Sequence, residues 1–220
     1  NVAKYETYDV LDANQHIALL SREAQFLKLK ELDRDGKLFA AIKSFAKAVD
    51  VIDNELLDAA TMPEPLRTKL TEYYDTLDRY RMMSFGMQIA RTIKELENPE
   101  VRAKLHGALR HLIVDEYQDI NPAQQRLIQL MTGADTELCV VGDDDQAIYA
   151  FRGADISNIL NFEKQYKNCK VIKLEENYRS TFPILNLANE VIKLNTQRKD
   201  KTMRTSLMEG QLPQLWAAGD

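Results

Sequence analysis

No stretch of the 220-residue chain holds about 18 consecutive apolar residues, so no segment is expected to cross a membrane as a helix. The opening residues, Asn1-Val2-Ala3-Lys4-Tyr5-Glu6, lack the apolar core of a signal peptide. Cysteine is scarce: Cys139 and Cys169 are too few for a disulfide framework. Both stand beside apolar runs and are expected to be buried thiols of a cytosolic protein. The histidines His16, His106 and His111 share no ligand spacing with the cysteines, and no zinc site is expected. Positive charge is not in excess. Lys and Arg total 29 against 34 Asp and Glu, for a net charge of -5, which argues against coating nucleic acid by charge alone. That balance leaves a local basic groove open. What is present is ordinary for a folded protein, with 45% hydrophobic and 29% charged residues. The length suits one large domain or two small ones, burying roughly 70% of the unfolded chain's surface.

The chain divides into two unlike halves. From Asp12 to Leu109 the apolar spacing is helical, and glycine occurs only at 36, 86 and 107. Leu38, Ile42, Phe45, Val49 and Ile52 form one stripe, and Leu66, Leu70, Tyr73, Leu77 and Tyr80 form another. Asp12 followed by Gln15 matches a capping box, and Asn98-Pro99 a capped helix start. Four to six helices and no strand are expected there, with a rigid turn at Met62-Pro63-Glu64-Pro65. After His111 short apolar runs appear at Leu112–Val114, Leu138–Val141 and Val171–Leu174. They alternate with helical segments starting at Asn121-Pro122, running from Ile156 to Tyr166, and following Ser180-Thr181-Phe182-Pro183. Strands alternating with helices imply an α/β fold with a parallel sheet and crossover helices. Ligands of such sheets collect at the carboxyl ends of the strands.

Each expected strand ends in a polar cluster. After the first comes Asp115-Glu116-Tyr117-Gln118-Asp119. One of its paired carboxylates can hold a hydrated metal and the other can polarise a water, the plain alternative being a solvated acidic turn. After the second comes Gly142-Asp143-Asp144-Asp145-Gln146, then Ala147-Ile148-Tyr149-Ala150-Phe151-Arg152-Gly153. Aromatics interleaved with a cation suit base stacking with phosphate contact, although taken alone ordinary core packing is the simpler reading. After the third comes Glu175-Glu176-Asn177-Tyr178-Arg179-Ser180-Thr181, with an arginine just before a helix N-terminus, where an anion is favoured and a capped helix is the simpler reading.

In this order and spacing the three clusters resemble motifs II, III and IV of superfamily 1 DNA helicases of the UvrD/Rep/PcrA type. The resemblance is specific over Leu109–Arg204 and looser over Tyr5–Met83, which is similar to the family's helical 1B insertion. It implies an all-helical subdomain over residues 1–84, the distal part of a RecA-like 1A domain over 85–205, and the start of a 2A-like segment over 206–220. Gln214–Ala217 is then expected as that segment's first strand. The resemblance also implies roles. Asp115 matches the Mg²⁺-coordinating aspartate, and Glu116 the glutamate that activates the attacking water. Gln146 matches the glutamine that senses the γ-phosphate and links it to the DNA site. Tyr178 matches the ring stacked on adenine, and Arg179 an arginine that contacts the γ-phosphate. Tyr149, Phe151 and Arg152 match residues that meet the single strand, with Phe151 standing where many members carry tryptophan. ATP, Mg²⁺ and single-stranded DNA are the implied ligands, and repair or replication proteins the implied partners. Met83-Ser84-Phe85-Gly86-Met87 departs from an acidic stretch that often precedes motif II in the family.

A phosphate-cradling loop, G-x-x-x-x-G-K-[ST], does not occur in the chain. Its one Gly-Lys pair, Gly36-Lys37, is followed by Leu38 and has Glu31 where the earlier glycine belongs. The chain is therefore expected to be a monomeric helicase fragment, inactive alone, from a cytoplasmic parent enzyme. A helical interaction module with inert motifs is the alternative from another class. A Mg²⁺-dependent nuclease using Asp115, Glu116, Asp119 and Asp143 is a third. The basic stretch Lys193, Arg198, Lys199, Lys201 and Arg204 reads either as a solvated surface or as a strand-contacting patch.

Overall fold

The computed structural model describes residues 2–33, 35–149 and 153–216. Its helical half opens with a short strand, β1 (Asp9–Leu11), and α1 (Ala13–Glu23), whose start is fixed by the capping box of Asp12 and Gln15. Then come α2 (Leu38–Asn54), α3 (Leu66–Tyr80), the strand β2 (Met82–Ser84), α4 (Phe85–Leu96) and α5 (Pro99–Ala108). Asn98 caps α5, its side chain accepting from the Glu100 N–H at 2.9 Å. The five helices agree with the sequence pattern. The strand β2 does not: it pairs in parallel with β1, Val10 opposite Met83, and the Asp9 N–H extends the pairing to the Arg81 carbonyl at 2.9 Å.

One apolar cluster fills the part of this half around α1–α3, and a second joins Ile93 and Leu96 of α4 to Ala123 and Leu130 farther along the chain. Ile42, Phe45, Val49 and Ile52 of α2 face Leu70, Tyr73 and Leu77 of α3, closed by Leu20, Leu27 and Leu29. Burying each such large side chain stabilises the fold by about 1.5–3 kcal/mol. Several buried polar groups in this half are paired. The Tyr73 hydroxyl and His16 Nε2 share a hydrogen bond of 2.8 Å, and Lys69 Nζ donates to Glu31 at 2.8 Å and to the Leu27 carbonyl at 3.2 Å. Asp53 accepts from the Tyr74 hydroxyl at 2.8 Å and the Ser84 hydroxyl at 3.2 Å.

The second half contains β3 (His111–Val114), α6 (Pro122–Met131), β4 (Glu137–Val140), the single-turn helices α7 (Ser157–Leu160) and α8 (Phe162–Gln165), and α9 (Phe182–Ile192). Strands β3 and β4 are parallel, Leu112 opposite Leu138 and Val114 opposite Val140, with α6 as the crossover. Those four half-buried residues back a core of Tyr117, Ile120, Ile128 and Phe162. The other sheet face is bare, with Ile113 72% exposed. That bareness corrects the cysteine expectation: Cys139 lies on the outward side of β4 and is exposed, and Cys169 is half-buried.

Three further expectations change. The helix expected over Ile156–Tyr166 is broken into α7 and α8 at Asn161. Val171–Leu174 forms no strand, and Leu174 is 76% exposed. An apolar run encodes a preference for burial, whereas a parallel strand also needs a neighbouring edge, which no local sequence supplies. Its continuation makes one parallel bridge instead, Glu176 with Arg204. Gln214–Trp216 is exposed and forms no strand, while Ala217 lies outside the described residues.

The halves meet through α4, which packs on α2 and on α6. At the end of α2, Asn54 accepts from Asn121 Nδ2 at 3.1 Å. Gly153, at φ +83°, lies so close to Glu55 that a Cβ there would stand 2.6 Å from the carboxylate. Among the described residues, no helix is long and apolar enough to cross a membrane.

Candidate nucleotide and nucleic-acid site

The carboxyl ends of β3 and β4 are drawn together by continuing backbone bonds: the Val141 N–H donates to the Val114 carbonyl at 2.8 Å and the Tyr117 N–H to the Val141 carbonyl at 3.0 Å. This places two of the sequence clusters beside each other. Asp115 and Glu116 leave β3 at its tip, both exposed. Glu116, like Lys28, Leu56, Arg81 and Asn168, adopts the left-handed conformation, here at φ 50°. Its amide donates to Asp115 Oδ1 at 2.9 Å.

Gln118 joins the two clusters. It is only 1% exposed, donates from Nε2 to Glu116 Oε2 at 2.7 Å, and accepts at Oε1 from the Asp143 N–H at 2.9 Å. Gly142 makes this approach possible, since a Cβ there would stand 2.6 Å from Gln118 Oε1. Asp143 in turn accepts from Gln146 Nε2 at 2.7 Å and caps the turn over Asp144–Gln146 through the Asp145 N–H at 3.1 Å. A continuous line of hydrogen bonds therefore runs Glu116–Gln118–Asp143–Gln146. Sequence reasoning singled out its two ends and missed Gln118, whose one signal was an amide side chain inside an acidic run.

The three consecutive aspartates are neutralised from a distant part of the chain. Lys201 Nζ contacts Asp143 at 2.8 Å, Asp145 at 3.1 Å and Asp144 as well. Arg198 grips Asp145 with Nε at 2.9 Å and a terminal nitrogen at 2.8 Å, the bidentate geometry that makes such pairs strong. Burial alone would raise the Asp143 carboxyl, but hydrogen bonds from Lys201 and Gln146 outweigh it and hold the group below the usual carboxylate range. Burial would likewise lower Lys201, and the three aspartates outweigh it and raise the ammonium. The solvated-surface reading holds for Lys193 and Arg204, which are exposed and pair with Glu190 and Glu176. It fails for Arg198 and Lys201, which turn inward to the aspartates, while Lys199 pairs with Glu163. The signal for this was the aspartate run itself, which repels unless cations reach it.

The third cluster is held apart from the first two. Tyr178 is 81% exposed, Arg179 is exposed, and no hydrogen bond or ion pair among the described residues joins their side chains to the cluster at β3 and β4. Their turn is shaped by Asn177, whose Oδ1 accepts from the Arg179 and Ser180 N–H groups at 3.0 and 2.7 Å. Tyr149 is half-buried, and the expected Phe151 and Arg152 lie outside the described residues. In the departing segment, Ser84 caps α4 by accepting from the Met87 N–H at 3.1 Å, and Gly86 leaves room for Asp53.

Among the described residues, no three His, Cys, Asp or Glu side chains converge on a metal position. Asp115 Oδ2 accepts no hydrogen bond among them. One available carboxylate fits Mg²⁺, which keeps waters and is commonly held by one or two carboxylates plus substrate phosphates. It does not fit a two-metal cage. A cavity of about 240 Å³ beside the network is lined by Gln118, Ala147, Ala154, Asp155 and Ile156, below the size of usual ligand pockets.

Comparison with known proteins agrees with this arrangement of motifs. The family model described as the UvrD/REP helicase N-terminal domain matches residues 2–167. The ATP-dependent DNA helicase PcrA of Staphylococcus aureus (strain NCTC 8325 / PS 47) is 41% identical over 192 residues, covering 83% of this chain and 26% of that protein. The ATP-dependent DNA helicase PcrA of Staphylococcus epidermidis (strain ATCC 12228 / FDA PCI 1200) is 40% identical over 199 residues, covering 86% and 27%. The chain thus spans about a quarter of the length of the curated relatives it matches. With the motif order, the matched domain and these identities taken together, the chain belongs to the UvrD/REP helicase family.

Proposed function

We propose that the chain carries part of the motor of an ATP-dependent DNA helicase that translocates on single-stranded DNA. The observation that carries this reading is the hydrogen-bonded line from Glu116 through Gln118 and Asp143 to Gln146. It couples a carboxylate suited to activating water with an amide suited to sensing the phosphate under attack. Phosphoryl transfer depends mainly on positioning and charge neutralisation, which such a network serves. In this reading Asp115 holds Mg²⁺, which when bound neutralises charge on the phosphates. Glu116 orients and deprotonates the attacking water, and Gln146 reports the state of the γ-phosphate. Arg179 adds positive charge there, and the exposed ring of Tyr178 stacks on adenine. Tyr149, Phe151 and Arg152 meet the strand by stacking and phosphate contact, worth about 1–3 kcal/mol per stacked base without reading sequence.

The architecture is read as part of a RecA-like sheet: residues 1–84 a 1B-like subdomain, 85–205 the distal part of 1A, and 206–220 a 2A-like start. The bare face of β3 and β4 and the exposed apolar stripe Ile184, Leu187 and Val191 on α9 support a larger domain that covers them. Without a phosphate-cradling loop, the isolated chain binds Mg-ATP too weakly to turn it over. The parent enzyme works in the cytoplasm alongside repair or replication proteins.

The test is steady-state ATP hydrolysis by the full-length protein, with and without single-stranded DNA. Turnover stimulated by the strand and lost in Glu116→Gln, with ATP binding retained, supports the reading. Absence of stimulated turnover in the unmodified protein, or turnover by residues 1–220 alone, counts against it.

A further inference from the structure

The residues that neutralise the aspartate run belong to a segment with a second set of bonds. Just beyond Lys201, the Thr202 N–H donates to Glu175 Oε1 at 2.9 Å. The Arg204 N–H donates to the Glu175 carbonyl at 2.8 Å, and the Asn177 N–H returns to the Arg204 carbonyl at 2.7 Å. Arg204 Nε adds a bond to Glu176 at 3.1 Å, and Asn189 of α9 donates to the Met203 carbonyl at 2.8 Å. Before Lys201, the Lys199 N–H donates to Asp144 at 2.6 Å. One stretch of seven residues, 198–204, thus grips the turn that carries Gln146 with its first half and the turn that carries Tyr178 and Arg179 with its second.

We propose that residues 198–204 are a positioning strap for the reaction, in which Arg198 and Lys201 fix the Asp143–Gln146 turn and Thr202–Arg204 fix the Glu175–Arg179 turn, so that Gln146 and Arg179 are set relative to one another. This rests on the helicase reading. The strap is needed because no direct bond among the described residues joins the two turns, and because the aspartates require it. Lys201 is 15% exposed at its side chain and Asp144 and Asp145 are 6% and 12%, so the charges are largely out of water. Removing Lys201 leaves Arg198 on Asp145 but the buried Asp144 carboxylate without its counter-charge, a strongly unfavourable state that the turn relieves by opening. Asp143 then loses its hold on both Gln118 and Gln146. Arg198 and Lys201 are positioning residues, acting on the nucleotide only through the turn they hold.

The test uses the full-length protein with Lys201→Met, which keeps the apolar stem, and Lys201→Arg, which keeps the charge. Amide exchange read by mass spectrometry is expected to rise about tenfold or more over residues 142–149 and also over 175–180, while residues 38–54 of α2 stay unchanged. Strand-stimulated kcat falls on the order of 10²-fold, the scale set by misplacement of about 1 Å, with KM for ATP within about threefold. Lys201→Arg recovers most of both. Should the single change cost the fold, Lys201→Gln, which keeps a donor to the aspartates while removing the charge, carries the same readouts. Faster exchange confined to 142–149 overturns the strap, since the two turns are then not joined through it. Faster exchange at both turns with unchanged kcat overturns its role in the reaction. A wild-type protein without strand-stimulated hydrolysis removes the helicase reading itself. An active wild type matched by Lys201→Met in exchange and kcat removes the strap alone.

Discussion

Replacing Gln118 with alanine removes the bridge between the Glu116 and Asp143 clusters while leaving every charged residue in place. Two interactions are lost. The bond from Nε2 to the Glu116 carboxylate, at 2.7 Å, is charge-assisted and worth about 1.5–3 kcal/mol. The Asp143 N–H, which Gln118 accepts at 2.9 Å, is left without its partner, costing about 1–3 kcal/mol if it stays dry. The neighbouring cavity of about 240 Å³ is lined partly by Gln118, so water can reach the orphaned amide. That moves the expected loss toward the lower end, about 2–3 kcal/mol. Urea unfolding followed by circular dichroism reads it as a lower midpoint, and faster amide exchange at Asp143 locates it. Gln118→Glu provides a signed control. At pH 8 the introduced carboxylate faces Glu116 with no proton to donate, so the variant is destabilised. On acidification toward pH 4 the introduced carboxyl regains a donor, and the difference from wild type shrinks. If Gln118→Ala unfolds within about 0.5 kcal/mol of wild type with the Asp143 amide equally protected, the bridge is not holding the two clusters together.

Gly142→Ala places a Cβ 2.6 Å from Gln118 Oε1 and 3.1 Å from the Tyr117 nitrogen, so it should displace the same side chain. Because both changes break one bridge, Gly142→Ala combined with Gln118→Ala should cost clearly less than the sum of the singles in urea unfolding, and additivity would sink that account. In the helical half, burial raises Asp53 to about 6, opposed by its hydrogen bonds from Tyr74 and Ser84. A carboxyl raised on folding contributes stability fully below its ordinary value of 3.8, and that contribution is lost as pH rises through about 6. The gap corresponds to about 3 kcal/mol. Asp53→Asn, fixed neutral, should therefore gain on wild type by up to that amount between pH 4 and pH 7.5, and equal pH slopes in urea midpoints would refute it. Phe45 is 1% exposed in the core of α2, and Phe45→Ala should cost about 3–5 kcal/mol, read as a lowered urea midpoint.

By itself the sequence determined whatever depends on spacing along the chain. The stripes of α2 and α3, the capping pair Asp12 and Gln15, the capped start of α5 and the strand–helix–strand alternation of β3, α6 and β4 are local patterns, and each reappears in the fold. That Asp115 and Glu116 follow one strand and the Asp143–Gln146 turn the other was legible for the same reason, since polar runs bounding apolar ones mark strand ends. Tertiary structure decided what depends on a partner from elsewhere. Val171–Leu174 had a strand's composition and no edge to pair with. Arg198 and Lys201 read as a surface or as a groove for nucleic acid until the fold placed Asp145 and Asp143 against them, 53 and 58 residues back in sequence. Gln118 was an unremarked amide until β3 and β4 came side by side and set Glu116 and Asp143 within its reach. Electrostatic compensation of a buried charge is a demand the sequence announces, but only the folded chain shows which cation answers it.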